Sequence, residues 1–256
     1  MNKLKTLLAL VFLCFFVTNI QAQVKKPAVK KTVTHKATTA KPGTAKSSKS
    51  AAQAPKLVKV AGTRVKITTD SGVIIIRLYD KTPLHRDNFI KLVKDHFYDS
   101  LLFHRVIQAF MIQGGDPESK HAQPGQQLGS GDVGYTIPAE FDTTLFHKKG
   151  ALAAARQSDQ VNPLKASSGC QFYIVQGKKW TDQDLDMIGM QTGIKFSPAK
   201  REIYKTLGGT PFLDMNYTVF GEVESGLDVV DKIASVPKAP GDRPIGDVHM
   251  YMELIK

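Results

Sequence analysis

"FHRVIQAFMIQGGD", residues Phe103–Asp116, decides how this chain is read. It has the form of a strand, a tight reversal at Gln108-Ala109, and a second strand ending in the paired glycines Gly114-Gly115. Successive strand residues point to opposite faces, so Met111 and Gln113 share a side, while Phe110 and Ile112 take the other or mark the turn. One small hairpin therefore presents a guanidinium (Arg105), a thioether and an amide together, a combination that packing alone does not require.

The flanking sequence is β-rich. "TRVKITTDSGVIIIRLYD" (Thr63–Asp80) holds two strand-like runs around Asp70-Ser71-Gly72, a hairpin signal. Thr82 stands at a cap position and Pro83 in the first turn of a helix whose apolar positions Phe89, Leu92 and Val93 run to about Phe97. A second helix is expected over Gly226–Ala234, with Leu227, Val230 and Ile233 as its apolar stripe. Further strands are "CQFYIVQ" (Cys170–Gln176), "YTVFGEV" (Tyr217–Val223) and "VHMYMELI" (Val248–Ile255). Many short strands and few helices predict a mainly β protein, a closed antiparallel barrel. One segment, about 181–209, reads as a helical insertion: Thr181 precedes Leu185 and Ile188, Ser197-Pro198 opens a second helix, and Gly208-Gly209 ends it. We read it as a packed surface embellishment.

Charge is distributed unevenly. Residues 1–56 contain eleven lysines and no Asp or Glu, so they hold eleven of the twelve net positive charges and leave about +1 for Leu57–Lys256. The pI of 9.6 thus describes a tail, and net charge gives no argument for a nucleic-acid partner. Lys3 and Lys5, the apolar run Leu7–Val17 and Ala22 have the layout of a secretory signal peptide over residues 1–22, too short for a membrane span. Residues 23–56, rich in Lys, Ala, Thr and Ser and without an aromatic, are expected to be a disordered basic spacer with at most weak attraction to anionic envelope components. The domain is then residues 57–256, exported, with the periplasm the first expectation and extracellular release the second. After cleavage Cys170 is the one remaining cysteine, so an internal disulfide is not available and the core must hold the domain.

Taken together, "TPLHRDNFIKLVKDHFYDSLLFHRVIQAFMIQGGD" (Thr82–Asp116), "YTIPAEF" (Tyr135–Phe141), "KGALAAAR" (Lys149–Arg156), "SSGCQFYI" (Ser167–Ile174) and "YTVFGEV" resemble, in order, the cyclophilin family of peptidyl-prolyl cis-trans isomerases, above all its bacterial members. The resemblance spans nearly all of Arg64–Ile255 apart from the insertion. It implies an eight-stranded barrel closed by two helices, with substrate proline bound on the outer face. It further implies that Arg105 is the central catalytic group and that Phe110, Met111 and Tyr173 line the proline pocket. Gln113 and the backbone at Ala155-Arg156 would hold the substrate chain, Gln171 would lie close by, and Phe212, Leu213 and Tyr217 would complete the rim. The implied partners are proline-containing polypeptides during folding; no cofactor is implied, and a monomer is expected because no long apolar stripe is left over. A proline-binding chaperone or scaffold with little activity is the alternative.

The chain departs from the family at identifiable places. Gln108-Ala109 replaces the usual Pro-Gly of the turn, so a positive φ there would strain Ala109, and His96 replaces a frequent helix-end glycine. Phe212 and Tyr217 stand where many eukaryotic members have Trp and His, which predicts weaker binding of cyclosporin. Other signals fail in context. "GSGDVG" (Gly129–Gly134) is followed by strand-like sequence rather than a helix and reads as a loop beside the proline pocket. The histidines show no metal-ligand spacing, Ser167 and Ser168 lack a nucleophile-elbow frame, and Cys170 reads as a buried strand residue.

Overall fold

The first two β-rich runs pair as the turn residues direct. In the computed structural model, which describes residues 62–256, β1 (Arg64–Thr69) and β2 (Gly72–Leu78) form an antiparallel hairpin closed at Asp70-Ser71. The expected signal peptide and spacer, residues 1–56, lie outside the described residues. Nine strands build one sheet. In chain order the remaining seven are β3 (Leu101–Leu102), β4 (Arg105–Ile107), β5 (Met111–Gly114), β7 (Ala151–Ala154), β9 (Phe172–Val175), β10 (Val219–Ser225) and β11 (His249–Ile255). Their spatial order is β3-β11-β1-β2-β10-β7-β9-β5-β4, while β6 (Thr136–Ile137) and β8 (Ser167–Ser168) pair separately.

The fold is mainly β, as expected, but the ladder is a curled open sheet of nine strands rather than a closed barrel of eight. The reason lies in Leu101–Ile107. This run is interrupted at Phe103-His104; its first half pairs with β11 and its second with β5, so both edges of the sheet come from one piece of chain. Val106 N–H donates at 2.9 Å to the carbonyl of Asp242, in a loop, and not to a neighbouring strand.

Strand alternation divides the apolar residues into two clusters. Ile112, Leu152, Phe172, Ile174 and Phe220 face the main core together with Phe89, Leu92 and Val93 of α1 (Pro83–Lys94) and Val230 and Ile233 of α4 (Leu227–Ala234). Their neighbours Met111, Ala151, Ala153, Tyr173, Val175 and Val219 form a second cluster on the opposite face. The curled interior is thus filled by side chains, and a ligand site must lie outside it. Phe89 anchors α1 with its ring 5.1 Å from Tyr98, 5.6 Å from Phe172 and 5.4 Å from Phe220.

Thr82 occupies the N-cap position of α1 and Pro83 opens the helix, but the Thr82 side chain makes no capping hydrogen bond. Glu140, from "YTIPAEF", accepts instead from the backbone N–H groups of Leu84 (3.1 Å) and His85 (3.0 Å) and from His85 Nδ1 (2.7 Å). Two further helices, α2 (Asp182–Thr192) and α3 (Pro198–Thr206), occupy the stretch after β9. Thr181 and Asp184 form a capping box on α2, Gly193 ends it in the left-handed region, and Ser197 caps α3.

Ala109 adopts φ = 61° and His96 φ = 55°, the left-handed conformations that glycine would accept without strain. The β4–β5 turn is held there by Ala109 N–H, which donates to Gln176 Oε1 at 2.6 Å, while Gln176 Nε2 donates to Asp231 of α4 at 3.0 Å. A left-handed L-residue costs ~1–2 kcal/mol, partly offset by the larger unfolded-state entropy of glycine. Ala109→Gly is therefore expected to raise stability by roughly 0.5–1 kcal/mol in urea unfolding, and a lowered midpoint would contradict the strain assignment.

Candidate active site

The register of the sheet gathers the site. Arg105 of β4 stands opposite Gln113 of β5, Gln113 opposite Tyr173 of β9, Tyr173 opposite Ala153 of β7, and Ala153 opposite Val219 of β10. This single row crosses five strands on the outer face. The row beside it is Ile107–Met111–Val175. Small residues on β7 leave a hollow between the larger side chains, and the result is a cleft of about 190 Å³ lined by Arg105, Phe110, Met111, Gln113, Ala155, Arg156, Tyr173, Leu213 and Tyr217.

Met111 and Tyr173 form a floor that is nearly inaccessible to solvent. Tyr217 meets Tyr173 edge-on, with centroids 5.8 Å apart, and the Arg156 guanidinium lies 4.5 Å above the Tyr217 ring. Arg105 is loosely held. Its Nε lies 3.6 Å from an Asp242 carboxylate oxygen, its Nη1 lies 3.5 Å from Gln113 Oε1, and 43% of the side chain remains exposed. Among the described residues its Nη2 makes no hydrogen bond, so donors remain available to a ligand.

Two expected residues sit outside the cleft lining. Gln171 is buried, and its Nε2 donates to the carbonyls of Gly129 (3.0 Å) and Gly131 (2.8 Å) while its Oε1 accepts from Gln113 Nε2 (3.0 Å). It ties the glycine-rich loop to the cleft and orients Gln113. Phe212 is part of the rim, stacked on Phe110 at 5.9 Å, with Trp180 meeting it edge-on at 6.1 Å. Ala155 has its N–H and C=O already engaged by Gln171 O (3.0 Å) and Ser168 N (2.8 Å). The backbone of Arg156, which has no partner among the described residues, is thus better placed than that of Ala155 to meet a ligand chain. Cys170 lies in the bend before β9 and not on a strand; burial pushes its thiol up to about 11, which makes it a poor nucleophile.

Sequence reasoning missed the groups behind the floor. His147 Nε2 lies 3.0 Å from the Tyr173 hydroxyl and its Nδ1 3.0 Å from Asp214 Oδ1. Only tertiary structure brings these together, and no spacing in "FHKKG" or "FLDMN" signals it. Asp242 beside Arg105 was missed for the same reason.

The model of the "Cyclophilin type peptidyl-prolyl cis-trans isomerase/CLD" family matches residues 64–252. This chain is a member of that family. Among curated relatives of the cyclophilin-type chain, a putative peptidyl-prolyl cis-trans isomerase of Staphylococcus aureus (strain COL) is 32% identical over 77% of this chain and 93% of its own length. A putative bifunctional phosphatase/peptidyl-prolyl cis-trans isomerase of Streptococcus pyogenes is 36% identical over 73% of this chain, which spans 37% of that longer protein. The crystal structure of a cyclophilin type isomerase of Cryptosporidium parvum has the same fold, with TM-score 0.55 and 20% identity over 76% of this chain and 98% of the other. The same protein was also crystallised in the presence of the dipeptide Ala-Pro, with TM-score 0.54.

His104, the residue before Arg105, is buried with neither ring nitrogen hydrogen-bonded, and burial lowers its pKa to about 4. Its folded pKa lies below the unfolded value of about 6.5, so between the two the unfolded chain holds the extra proton and stability falls as pH drops through that window. The expected loss is on the order of 3 kcal/mol between pH 7 and below 4 from this group. Urea unfolding of the parent and His104→Leu across that range checks it: the variant should show a flatter dependence, and equal slopes would contradict the assignment.

Proposed function

We propose that this cyclophilin-type isomerase uses the outer-face cleft to accelerate rotation about X-Pro bonds in exported proteins. Rotation of a peptide bond faces ~18–20 kcal/mol because nitrogen shares its lone pair with the carbonyl. For X-Pro the isomers differ by only about 0.5–1 kcal/mol, so the reaction is near balance but slow. No bond need be broken. A site that binds the twisted amide better than either planar form gains tenfold in rate for each ~1.4 kcal/mol of preference.

The observation that carries the reading is an Arg105 guanidinium with unengaged donors at the wall of an apolar-floored cleft. As the amide twists, its nitrogen lone pair localises and becomes an acceptor, and the Arg105 guanidinium, with donors to spare, donates to it. Met111, Phe110, Tyr173, Leu213 and Tyr217 enclose the pyrrolidine ring. Gln113, oriented by Gln171, and the Arg156 backbone hold the extended chain on either side. The Ala-Pro dipeptide used with the structural neighbour supports proline-containing peptides as the substrate class.

Two outcomes are expected. Arg105→Ala should cut kcat/KM for an X-Pro peptide on the order of a hundredfold with little change in stability, because its protein contacts are loose; a parent as inert as the variant would leave a proline-binding module instead. For export, the amino-terminal layout supports cleavage after Ala22. Terminal sequencing of protein recovered from the cell envelope or medium should begin at Gln23, and recovery only of a chain beginning at Met1 in the cytoplasm would overturn the export reading.

A further inference from the structure

The helical pair α2–α3 reaches the cleft floor through buried side chains. Tyr204 of α3 is fully buried, with its ring 5.5 Å from Phe146 and 5.8 Å from Phe196. Its hydroxyl lies 2.9 Å from both carboxylate oxygens of Asp214, which is 1% exposed. Asp214 Oδ1 also accepts from the His147 backbone N–H (2.9 Å) and lies 3.0 Å from His147 Nδ1, and Lys200 of the same helix places its ammonium 3.8 Å from Oδ2. His147 Nε2 in turn lies 3.0 Å from the Tyr173 hydroxyl, at the cleft.

The direction of the hydrogen bonds to Asp214 follows from the chemistry. A carboxylate can only accept, so the Tyr204 O–H and the His147 Nδ1–H both donate to Asp214. Nε2 and the Tyr173 hydroxyl, 3.0 Å apart, complete the chain, since a phenol can donate to an imidazole nitrogen or accept from an N–H. Burial holds the Tyr173 phenol well above its ordinary pKa, which keeps its proton in place. A carboxylate this deeply buried needs all of its partners, and α3 supplies two of them.

We infer that Tyr204, Asp214 and His147 are positioning residues for the isomerase site, and that α2–α3 is a working part of it rather than a surface embellishment. The chain Tyr204–Asp214–His147–Tyr173 locks the orientation of the phenol ring that forms the floor, so the width of the proline pocket depends on α3. This inference rests on the reading of the cleft as the isomerase site.

The test is a double-mutant cycle in the full protein, with kcat and KM measured on an X-Pro peptide. Tyr204→Phe removes one hydroxyl and keeps the packing; it is expected to lower kcat/KM on the order of three- to tenfold. In a Tyr173→Phe background, where the last link is already cut, adding Tyr204→Phe should cost nothing further. Lys205→Ala, on the same helix but paired with Asp182 at 2.8 Å, serves as a control for general loosening of α3 and should leave activity unchanged. His147→Asn, whose amide can still donate to Asp214 but cannot reach Tyr173, provides a second cut should Tyr204→Phe not fold. An equal loss in both backgrounds, or no loss in the parent background, overturns the inference. The Tyr173 ring resonances give a readout independent of turnover: they should move in Tyr204→Phe and not in Lys205→Ala. If the parent does not turn over peptide, the isomerase reading fails, and these resonances alone decide whether α3 is coupled to the floor.

Discussion

The cross-strand row Arg105–Gln113–Tyr173–Ala153–Val219 is the constraint on which the site depends. Side chains alternate along every strand, so a slip of one residue in any of these pairings would send its members into the filled interior and bring core residues out. The main core prevents that slip, because Ile112, Leu152, Phe172 and Ile174 find their places only in the observed register. The same hydrophobic pattern that stabilises the sheet thereby aligns the outer-face residues.

Much of this was legible from the hairpin outward. Alternation alone put Met111 and Gln113 on one side, and they do line one cleft. Ala109 was marked as a point of strain if the turn kept a positive φ, and the structure has φ = 61° there. Other points were not legible, for physical reasons. A closed eight-stranded ladder was expected, but the break at Phe103-His104 depends on which neighbours the two halves of one run find, and local propensity carries no such information. Thr82 was a reasonable cap by residue type, yet Glu140, fifty-six residues beyond Leu84, takes the first-turn N–H groups. Propensity names residues able to cap; tertiary contact decides which one does.

The least legible feature was the α2–α3 pair. The starts of both helices were readable, since Thr181 and Ser197-Pro198 are strong local signals. The pair's purpose was not, because Tyr204 is separated from Tyr173 in sequence and joined to it through His147 and Asp214, neither of which belongs to a recognisable motif. Buried polar groups with complete partner sets demand definite geometry, which gives an added helical element a way to influence a site it does not line.

The most direct test of the account is exchange NMR on an Ala-Pro-containing peptide with a small molar fraction of the labelled protein. The account predicts exchange cross-peaks between the cis and trans forms of the peptide, accompanied by shifts of the protein's resonances at Met111, Gln113, Tyr173 and Tyr217. Exchange with shifts confined to another face, or shifts at the cleft with no exchange, would contradict the claim that this cleft twists the prolyl bond.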